Sequence, residues 1–238
     1  MVESGFDSKG KEFDSVDSYW NTQSKEEWYE KSLKYWETQP DSVDGMLGGF
    51  GYLSDIDVTC SLEVLNELKA NGMGKSYALG KTHLGSKQDC GAGIGRVSKN
   101  VLSQVFSKID LLEPVSQFIN KAAEELSSIV GESFCCKLED FQVQKEKYDC
   151  IWVQWVSIYL NDDDFLHFLD KARASLKKGG YIVIKDNVSR SGFHIDDDDA
   201  SITRSDEMML AIFSKANFNV KLKKQQENFP RQLFPVFM

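Results

Sequence analysis

Apolar stretches that suit β-strands alternate with stretches that suit α-helices from residue 96 to residue 226. Helices are predicted over residues 96–107, "SQFINKAAEELSSI", "DDDFLHFLDKARASL" and "SDEMMLAIFSKAN". Strands are predicted over "KIDLLEP", "SFCCKLEDF", "YDCIWVQWV", "GYIVIKDN" and "FNVKLKKQQ", with a turn at "KKGG". Strands separated by helices of about 10–15 residues are typical of a mostly parallel sheet. The alternation therefore predicts an α/β fold.

The beginning of the chain does not follow this alternation. The stretch "SKEEWYEKSLKYWET" predicts a helix with Ser24 as its N-cap and Glu27 three residues later. A second amphipathic helix is predicted over "SLEVLNELKA". We therefore divide the chain into an N-terminal helical extension over residues 1–45 and an α/β domain over residues 46–238.

Length and charge limit the classes of function. The 238 residues suffice for one large domain or two small ones, and a hydrophobic content of 41% is typical of globular chains. The net charge of −9 argues against nucleic acid as a direct partner. No stretch approaches the roughly 18 consecutive apolar residues of a membrane span, and the polar start is unlike a signal peptide. We expect no membrane partner.

The cysteines predict neither a disulfide framework nor a metal site. Their number, five, is odd, and Cys135 and Cys136 are adjacent. No CxxC pair is present in the sequence. We interpret them as reduced intracellular thiols and expect no metal.

A glycine-rich loop is the strongest indication of a ligand site. In "QDCGAGIGRVSKNV", Gly91, Gly93 and Gly95 alternate with other residues, a spacing that differs from the dinucleotide motif GxGxxG. Such a loop lets the backbone approach a ligand closely, although glycines can also serve a turn alone. Glu113 ends the next predicted strand, 18 residues after Gly95 (95 to 113), where a carboxylate can bind ribose hydroxyls. Loop and acid together predict a nucleoside site.

Several motifs resemble those of one enzyme family. "DCGAGIGR", "DLLEP" and "LED" resemble the class I S-adenosylmethionine-dependent methyltransferases. "VDGMLGGFG", "IVIKDN", "DDDDASITRSD" and "QQENFP" resemble more closely the eukaryotic protein α-N-terminal methyltransferases. That family methylates the free α-amine of proteins beginning X-Pro-Lys. The resemblance covers roughly residues 25–237.

The resemblance implies a fold, a cofactor, partners and a location. The fold is Rossmann-like, with a mostly parallel sheet of seven strands and N-terminal helices that form one wall of a substrate channel. The cofactor is S-adenosylmethionine (AdoMet). The partners are the N-terminal tails of X-Pro-Lys proteins, ribosomal or chromatin-associated. The location is cytoplasmic, nuclear or both.

The resemblance also assigns cofactor-binding residues. Arg96 would pair with the carboxylate of the cofactor. Glu113 would bind the ribose, where the family more often has Asp. Glu139 would flank the adenine, where many members have Gln. The full implied set is Gly91, Gly93, Arg96, Glu113, Leu138, Glu139 and Gln154.

The acceptor peptide would contact a second set of residues. Trp155 would pack on the substrate proline, although a tryptophan that follows a buried strand is more often core. Trp36 would line the peptide channel, or else only pack its helix. Leu47 and Gly48 would form a lid over the channel.

The polar residues of the acceptor site follow from the same resemblance. Asn187 would hold the α-amine, and Asp199 would accept its hydrogen bond. Tyr159 stands where many members have a catalytic histidine. Asp196 and Ser201 would face the ammonium of the lysine at position three, with Asp197 and Asp198 pointing outward and replaceable.

Two departures from the family leave other functions open. "KSYAL" is predicted as the first strand, so residues 80–88, "GKTHLGSKQ", are interpreted as an insertion before the glycine loop. The chain stops at "LFPVFM", where the family continues for several residues. The alternatives are a catalytically impaired peptide-binding homologue and a small-molecule methyltransferase.

Overall fold

The computed structural model describes residues 3–73 and 84–238. In chain order its strands are β1 Gly5–Asp7, β2 Glu12–Phe13, β3 Leu84–Cys90, β4 Phe106–Leu112, β5 Val130–Phe134, β6 Tyr148–Gln154, β7 Leu176–Asn187, β8 Phe193–Asp196, β9 Ser201–Arg204 and β10 Val236–Phe237. Its α-helices are α1 Val16–Trp20, α2 Lys25–Glu37, α3 Val43–Met46, α4 Ser54–Ala70, α5 Arg96–Asn100, α6 Ser116–Glu125, α7 Asp162–Ser175 and α8 Asp206–Lys215.

A mixed sheet with helices packed on it forms the centre of the fold, which confirms the predicted α/β, Rossmann-like architecture. The strand order is β10-β7-β6-β3-β4-β5. Neighbouring strands are parallel except β10, which pairs antiparallel with β7. Buried apolar side chains form a cluster on each face. The sheet of the described residues has six strands, so the predicted seventh is not found there.

The predicted strand over residues 218–226 is wrong. Within this stretch, Gln225 forms an isolated bridge to Phe237. Lys224 and Met238 exchange backbone hydrogen bonds of 2.8 and 2.9 Å. The neighbouring strand β10 is only two residues long, so residues 218–226 have too few partners to form a strand.

The interpretation of residues 80–88 as an insertion is wrong for residues 84–88, which the structure describes. Residues 84–88 lie in β3, the strand between β4 and β6, whereas the predicted strand "KSYAL" lies outside the described residues. The backbone of β3 pairs on both sides. Such pairing overrides the weak strand propensity of Gly, Ser, Lys and Gln.

The side chains in the middle of β3 make this strand unusual. Lys87 and Gln88 are fully buried. The ammonium of Lys87 lies 4.8 Å from the ring centroid of Phe106 and 4.5 Å from that of Trp152. Within the described part of the chain, neither Lys87 nor Gln88 has a hydrogen-bond partner for its side-chain polar atoms.

Three predicted boundaries also differ from the structure. The helix predicted over residues 96–107 ends at Asn100, and β4 already begins at Phe106. The strand predicted over "SFCCKLEDF" ends at Phe134, because the chain leaves β4 there. The "KKGG" turn is part of the long strand β7, whose Gly179 takes a φ of 79°.

The N-terminal region contains a hairpin as well as helices. Strands β2-β1-β8-β9 form a second, four-stranded sheet, in which β1 runs parallel to β8. Helix α2 confirms the predicted one, and the Ser24 side chain accepts from the backbone of Glu27. Strand β1 thus pairs with β8, which lies far along the chain. Just beyond these strands, Ser8 and Asp197 are hydrogen-bonded although they are 189 residues apart.

In the described ranges, no helix is both long and apolar enough to cross a membrane. Among the same residues, no cluster of three or more His, Cys, Asp or Glu side chains is arranged to hold a metal ion.

Candidate active site

A cavity lies where β3, β4 and β6 end at their carboxyl edge, the usual ligand position in such sheets. Every residue predicted to bind the cofactor lines it: Gly91, Gly93, Arg96, Glu113, Leu138, Glu139 and Gln154. We call this group the cofactor side. Trp36, Trp155 and Tyr159 also line the cavity. Together with the four-residue acidic run Asp196–Asp199, we call them the acceptor side.

The glycine loop requires bare backbone. Gly91, Gly93 and Gly95 have φ values of 69°, 53° and 80°, a region that side chains rarely adopt. A Cβ on Gly91 would lie 2.7 Å from Val156, and one on Gly93 would lie 2.7 Å from the sulfur of Met46. The loop can therefore lie this close to Val156 and Met46 only because glycine occupies these positions.

Glu113 connects the glycine loop to the end of β4. Its carboxylate accepts from the backbone N–H groups of Gly93 and Val115, both at 2.9 Å. Burial raises the pKa of Glu113 to about 7, although these two hydrogen bonds oppose the rise. A carboxylate has about four acceptor positions, so these bonds leave capacity for ribose hydroxyls.

Arg96 is buried at the start of α5, and Asp57 of α4 fixes its guanidinium group. Its Nη1 donates to Asp57 at 2.7 Å, and its guanidinium carbon lies 5.8 Å from the ring centroid of Trp155. The amide nitrogen of Gln154 donates to the same carboxylate. Sequence reasoning missed Asp57, because it lies on α4, far along the chain from both partners.

The three aromatic residues of the acceptor side contact one another or the cofactor side within the cavity lining. The rings of Trp36 and Tyr159 pack edge to face with centroids 6.1 Å apart. Trp155 is only partly buried and has a φ of 52°, which is rare for a residue with a side chain. The chain thus turns sharply after β6, and Trp155 lines the cavity instead of joining the core of β6.

Asp199 lies outside the cavity lining but forms a polar pair with Tyr159, which belongs to it. The hydroxyl of Tyr159 donates to Oδ2 of Asp199 at 3.1 Å. The other oxygen, Oδ1, is buried and has no hydrogen-bond partner among the described residues. Burial raises the pKa of Asp199, the hydrogen bond from Tyr159 opposes the rise, and the charge of Asp196 adds to it. Burial also raises the pKa of Tyr159 far above its ordinary value, so this side chain is a donor.

The remaining predicted residues do not line the cavity. Asn187 ends β7, and Leu47 and Gly48 follow directly after α3, whose Met46 does line it. Asp196 and Ser201 face each other as a pair between β8 and β9. They and Asp199 lie beside the cavity lining, not within it.

The expectation that Asp197 and Asp198 both point outward is wrong for Asp197. Asp198 is exposed as predicted, but Asp197 is half-buried and partnered. Lys9 forms an ion pair with Asp197 at 3.1 Å, and the backbone N–H of Asp197 donates to Ser8. Through these two contacts the N-terminal hairpin attaches to the acidic run at Asp197.

Helix α2 contributes lining residues that sequence reasoning overlooked. Tyr29, Ser32 and Leu33 line the cavity along with Trp36. Their spacing along the helix places them on one face. The hydroxyl of Tyr29 donates to Asp164 at 2.6 Å, which ties this face to α7. The periodicity around Trp36 was a usable signal for these residues.

Comparison with known proteins gives matches along nearly the whole chain. Residues 24–238 match the model of a family described as AdoMet dependent proline di-methyltransferase. Alpha N-terminal protein methyltransferase 1 of Arabidopsis thaliana is 39% identical, over 98% of this chain and 89% of the relative. N-terminal Xaa-Pro-Lys N-methyltransferase 1 of Danio rerio is 40% identical, over 87% of this chain and 92% of the relative.

A solved structure agrees with these matches. A SAM-dependent methyltransferase of Leishmania major superimposes with a TM-score of 0.88 at 35% identity. The superposition covers 100% of this chain and 95% of that protein.

Proposed function

Because the chain belongs to the AdoMet-dependent proline di-methyltransferase family, we propose that it moves methyl groups from AdoMet to the free α-amine of proteins that begin Xaa-Pro-Lys. One observation carries the proposal. The cofactor side and the aromatic part of the acceptor side line the same cavity. Tyr159 in that lining also donates a hydrogen bond to Asp199, whose other oxygen has no partner among the described residues.

The residues of the cofactor side fit AdoMet. Gly91 and Gly93 expose bare backbone to the cavity at positions where a Cβ would clash with Val156 and Met46. Arg96 supplies a buried cation for a carboxylate, and Glu113 supplies acceptors for ribose hydroxyls. Leu138 and Glu139 line the part of the cavity assigned to the adenine. Bound there, AdoMet supplies an electrophilic methyl group on its sulfonium.

The acceptor side needs to present a neutral amine. A free α-amine has a pKa of about 7.7–8.0, compared with about 10.4 for a lysine side chain, so it needs less assistance than a lysine to lose its proton. Asp199 can accept a hydrogen bond from the amine through Oδ1, while the donor Tyr159 orients its other oxygen. The raised pKa of Asp199 brings its basicity closer to that of the amine. Asn187 is assigned to holding the amine.

The same side accounts for recognition of the peptide. Trp155 and Trp36 offer aromatic faces for the proline, and an aromatic ring packs well on a proline ring. Asp196 and Ser201 are assigned to the ammonium of the third-position lysine. The N-terminal tails of ribosomal or chromatin-associated proteins are the partners we propose, in the cytoplasm or the nucleus.

Mass spectrometry of peptides tests the proposal. An Xaa-Pro-Lys peptide incubated with the protein and AdoMet should gain mass in steps of one methyl group, located at the α-amine by fragmentation. The same peptide with an acetylated α-amine should stay unmodified. Methylation of the acetylated peptide, or of neither peptide when AdoMet binds, would overturn the assignment of the acceptor.

A further inference from the structure

A single carboxylate, Asp57 on α4, lies behind the cavity and contacts two of the residues that line it. Asp57 is fully buried and is absent from the lining itself. Nη1 of Arg96 donates to its Oδ2 at 2.7 Å. The amide nitrogen of Gln154 donates to both of its oxygens, at 2.9 and 3.0 Å. Asp57 can therefore influence a ligand in the cavity only through other side chains.

These contacts determine how Gln154 and Arg96 point. The indole nitrogen of Trp152 donates to the amide oxygen of Gln154 at 2.9 Å, so that both ends of the amide are held. The bonds from Arg96 to Asp57 and to Ser54 both use Nη1. The other guanidinium nitrogens are not committed to these contacts.

A buried lysine on β7, Lys185, contacts the same carboxylate. Nζ of Lys185 donates to Asp57, to Ser61 at 2.9 Å and to Gln226 at 2.8 Å. Lys185 is fully buried and is not part of the cavity lining. We call Asp57, Arg96, Gln154, Lys185 and Gln226 the Asp57 cluster.

The charges of the Asp57 cluster leave one positive charge in excess. Arg96 and Lys185 are cations, and Asp57 is the one anion among its members. Burial alone would raise the pKa of Asp57, but the charges of Lys185 and Arg96 outweigh burial and lower it. The carboxylate is thus ionised at neutral pH and shared between two cations. Arg96 therefore remains a cation next to the cavity, where it can pair with a ligand carboxylate.

We propose that Asp57 is a positioning residue, which directs Arg96 and Gln154 toward the amino-acid end of the cofactor. This inference rests on the cofactor-binding roles proposed above for those two residues. Lys185 shares the negative charge of Asp57 and so leaves Arg96 with positive charge for the ligand. The contribution of Asp57 is selective for ligands that carry the amino-acid group.

Two ligands that differ in that group provide the test. S-adenosylhomocysteine has the amino-acid end, whereas 5′-methylthioadenosine lacks it but keeps the nucleoside. In Asp57→Asn, calorimetry should show S-adenosylhomocysteine binding about tenfold or more weakly, the range typical of a lost charged hydrogen bond. Binding of 5′-methylthioadenosine should change by less than about twofold. Asp55→Asn, an exposed acid on the same helix, is the matched control and should change neither.

A second variant guards against loss of folding. Asp57→Asn combined with Lys185→Gln removes one carboxylate and one ammonium and should show the same selective loss. Equal weakening of both ligands, no weakening, or failure of this double variant to fold would overturn the positioning role. By contrast, a wild-type protein that binds neither ligand would contradict the proposed function, so the two failures are distinguishable.

Discussion

The cofactor side of the cavity takes most of its residues from the ends of neighbouring parallel strands, whereas the acceptor side takes its residues from α2, the turn after β6 and the small second sheet. On the cofactor side, every predicted residue lines one cavity. On the acceptor side, Trp36, Trp155 and Tyr159 line it, but the acidic run does not. A parallel sheet brings its strand ends to one edge automatically, while the acceptor side depends on contacts between distant elements.

The two sides also differ in how their polar groups are satisfied. Glu113 and Arg96 already have hydrogen-bond partners at 2.7–2.9 Å, which hold them in place before any ligand arrives. Asp199 has one buried oxygen without a partner in the described ranges. A buried acceptor without a partner is unfavourable unless a donor arrives. The cofactor side is thus organised in advance, and the acceptor side is completed by its substrate.

Replacing Asp199 by Asn should have the largest effect on catalysis. The variant loses the acceptor assigned to the α-amine, and loss of a positioned base typically lowers kcat about 10²–10⁴-fold. Steady-state kinetics on an Xaa-Pro-Lys peptide should show this fall, with the affinity for S-adenosylhomocysteine nearly unchanged. Asp198→Asn, in the same run but exposed, is the control. A kcat within about threefold of wild type would remove Asp199 from the mechanism.

Replacing Lys87 by Met should stabilise the protein, because this ammonium is buried without a hydrogen-bond partner in the described part of the chain. The lowered pKa of Lys87, about 8 instead of 10.5, corresponds to a cost of about 3 kcal/mol for burying the charged form. Denaturant unfolding at pH 7 should show a gain of that size. Lys108→Met, at an exposed position of the adjacent strand β4, should not.

The stability gained by Lys87→Met should decrease as the pH rises. Burial lowers the pKa of Lys87 from 10.5 to about 8. Between these two values the unfolded chain binds the proton and the folded chain does not, so wild-type stability rises with pH. The advantage of Lys87→Met should therefore shrink from pH 8 to 10.5. A constant difference would mean that Lys87 is not buried as β3 requires.

Glu113→Gln should remove a pH dependence from cofactor binding. Burial raises the pKa of Glu113 from 4.5 to about 7, and ribose hydroxyls donate best to the ionised form. Wild-type affinity for S-adenosylhomocysteine should therefore rise between pH 6 and 8, by at most about tenfold per pH unit. Calorimetry on the Gln variant should give a flat profile over the same range.

The stability of the ligand-free protein should respond in the opposite direction. Between pH 4.5 and about 7, folded Glu113 binds the proton and unfolded Glu113 does not. Stability should therefore fall as pH rises through this window. Glu113→Gln should remove the part of the fall that Glu113 causes, while Asp186, whose pKa burial also raises to about 7, keeps its own part. If affinity and stability changed with pH in the same direction, Glu113 could not be the group responsible for both.

Sequence reasoning succeeded where the signal is local and failed where residues distant in the chain meet. The glycine loop and Glu113 are local signals, since strand order is enough to bring them together. The placement of β3 was wrong because pairing with β4 and β6 outweighs local propensity at residues 84–88. Asp57 was missed because its partners Arg96 and Lys185 lie 39 and 128 residues away. No local pattern reports such contacts.

The smallest expected effects come from the acidic run and distinguish its members. Asp196→Asn should raise the KM for an Xaa-Pro-Lys peptide by about two- to fivefold, because a partly exposed lysine–carboxylate pair contributes little. It should leave the KM for an Xaa-Pro-Ala peptide unchanged. Asp197→Asn should change neither KM, because Asp197 pairs with Lys9 of the N-terminal hairpin instead of a substrate. If Asp197→Asn matched Asp196→Asn on both peptides, the run would act only through its total charge. The acceptor side would then lack the residue-by-residue specificity that its register, Asp196 opposite Ser201, implies.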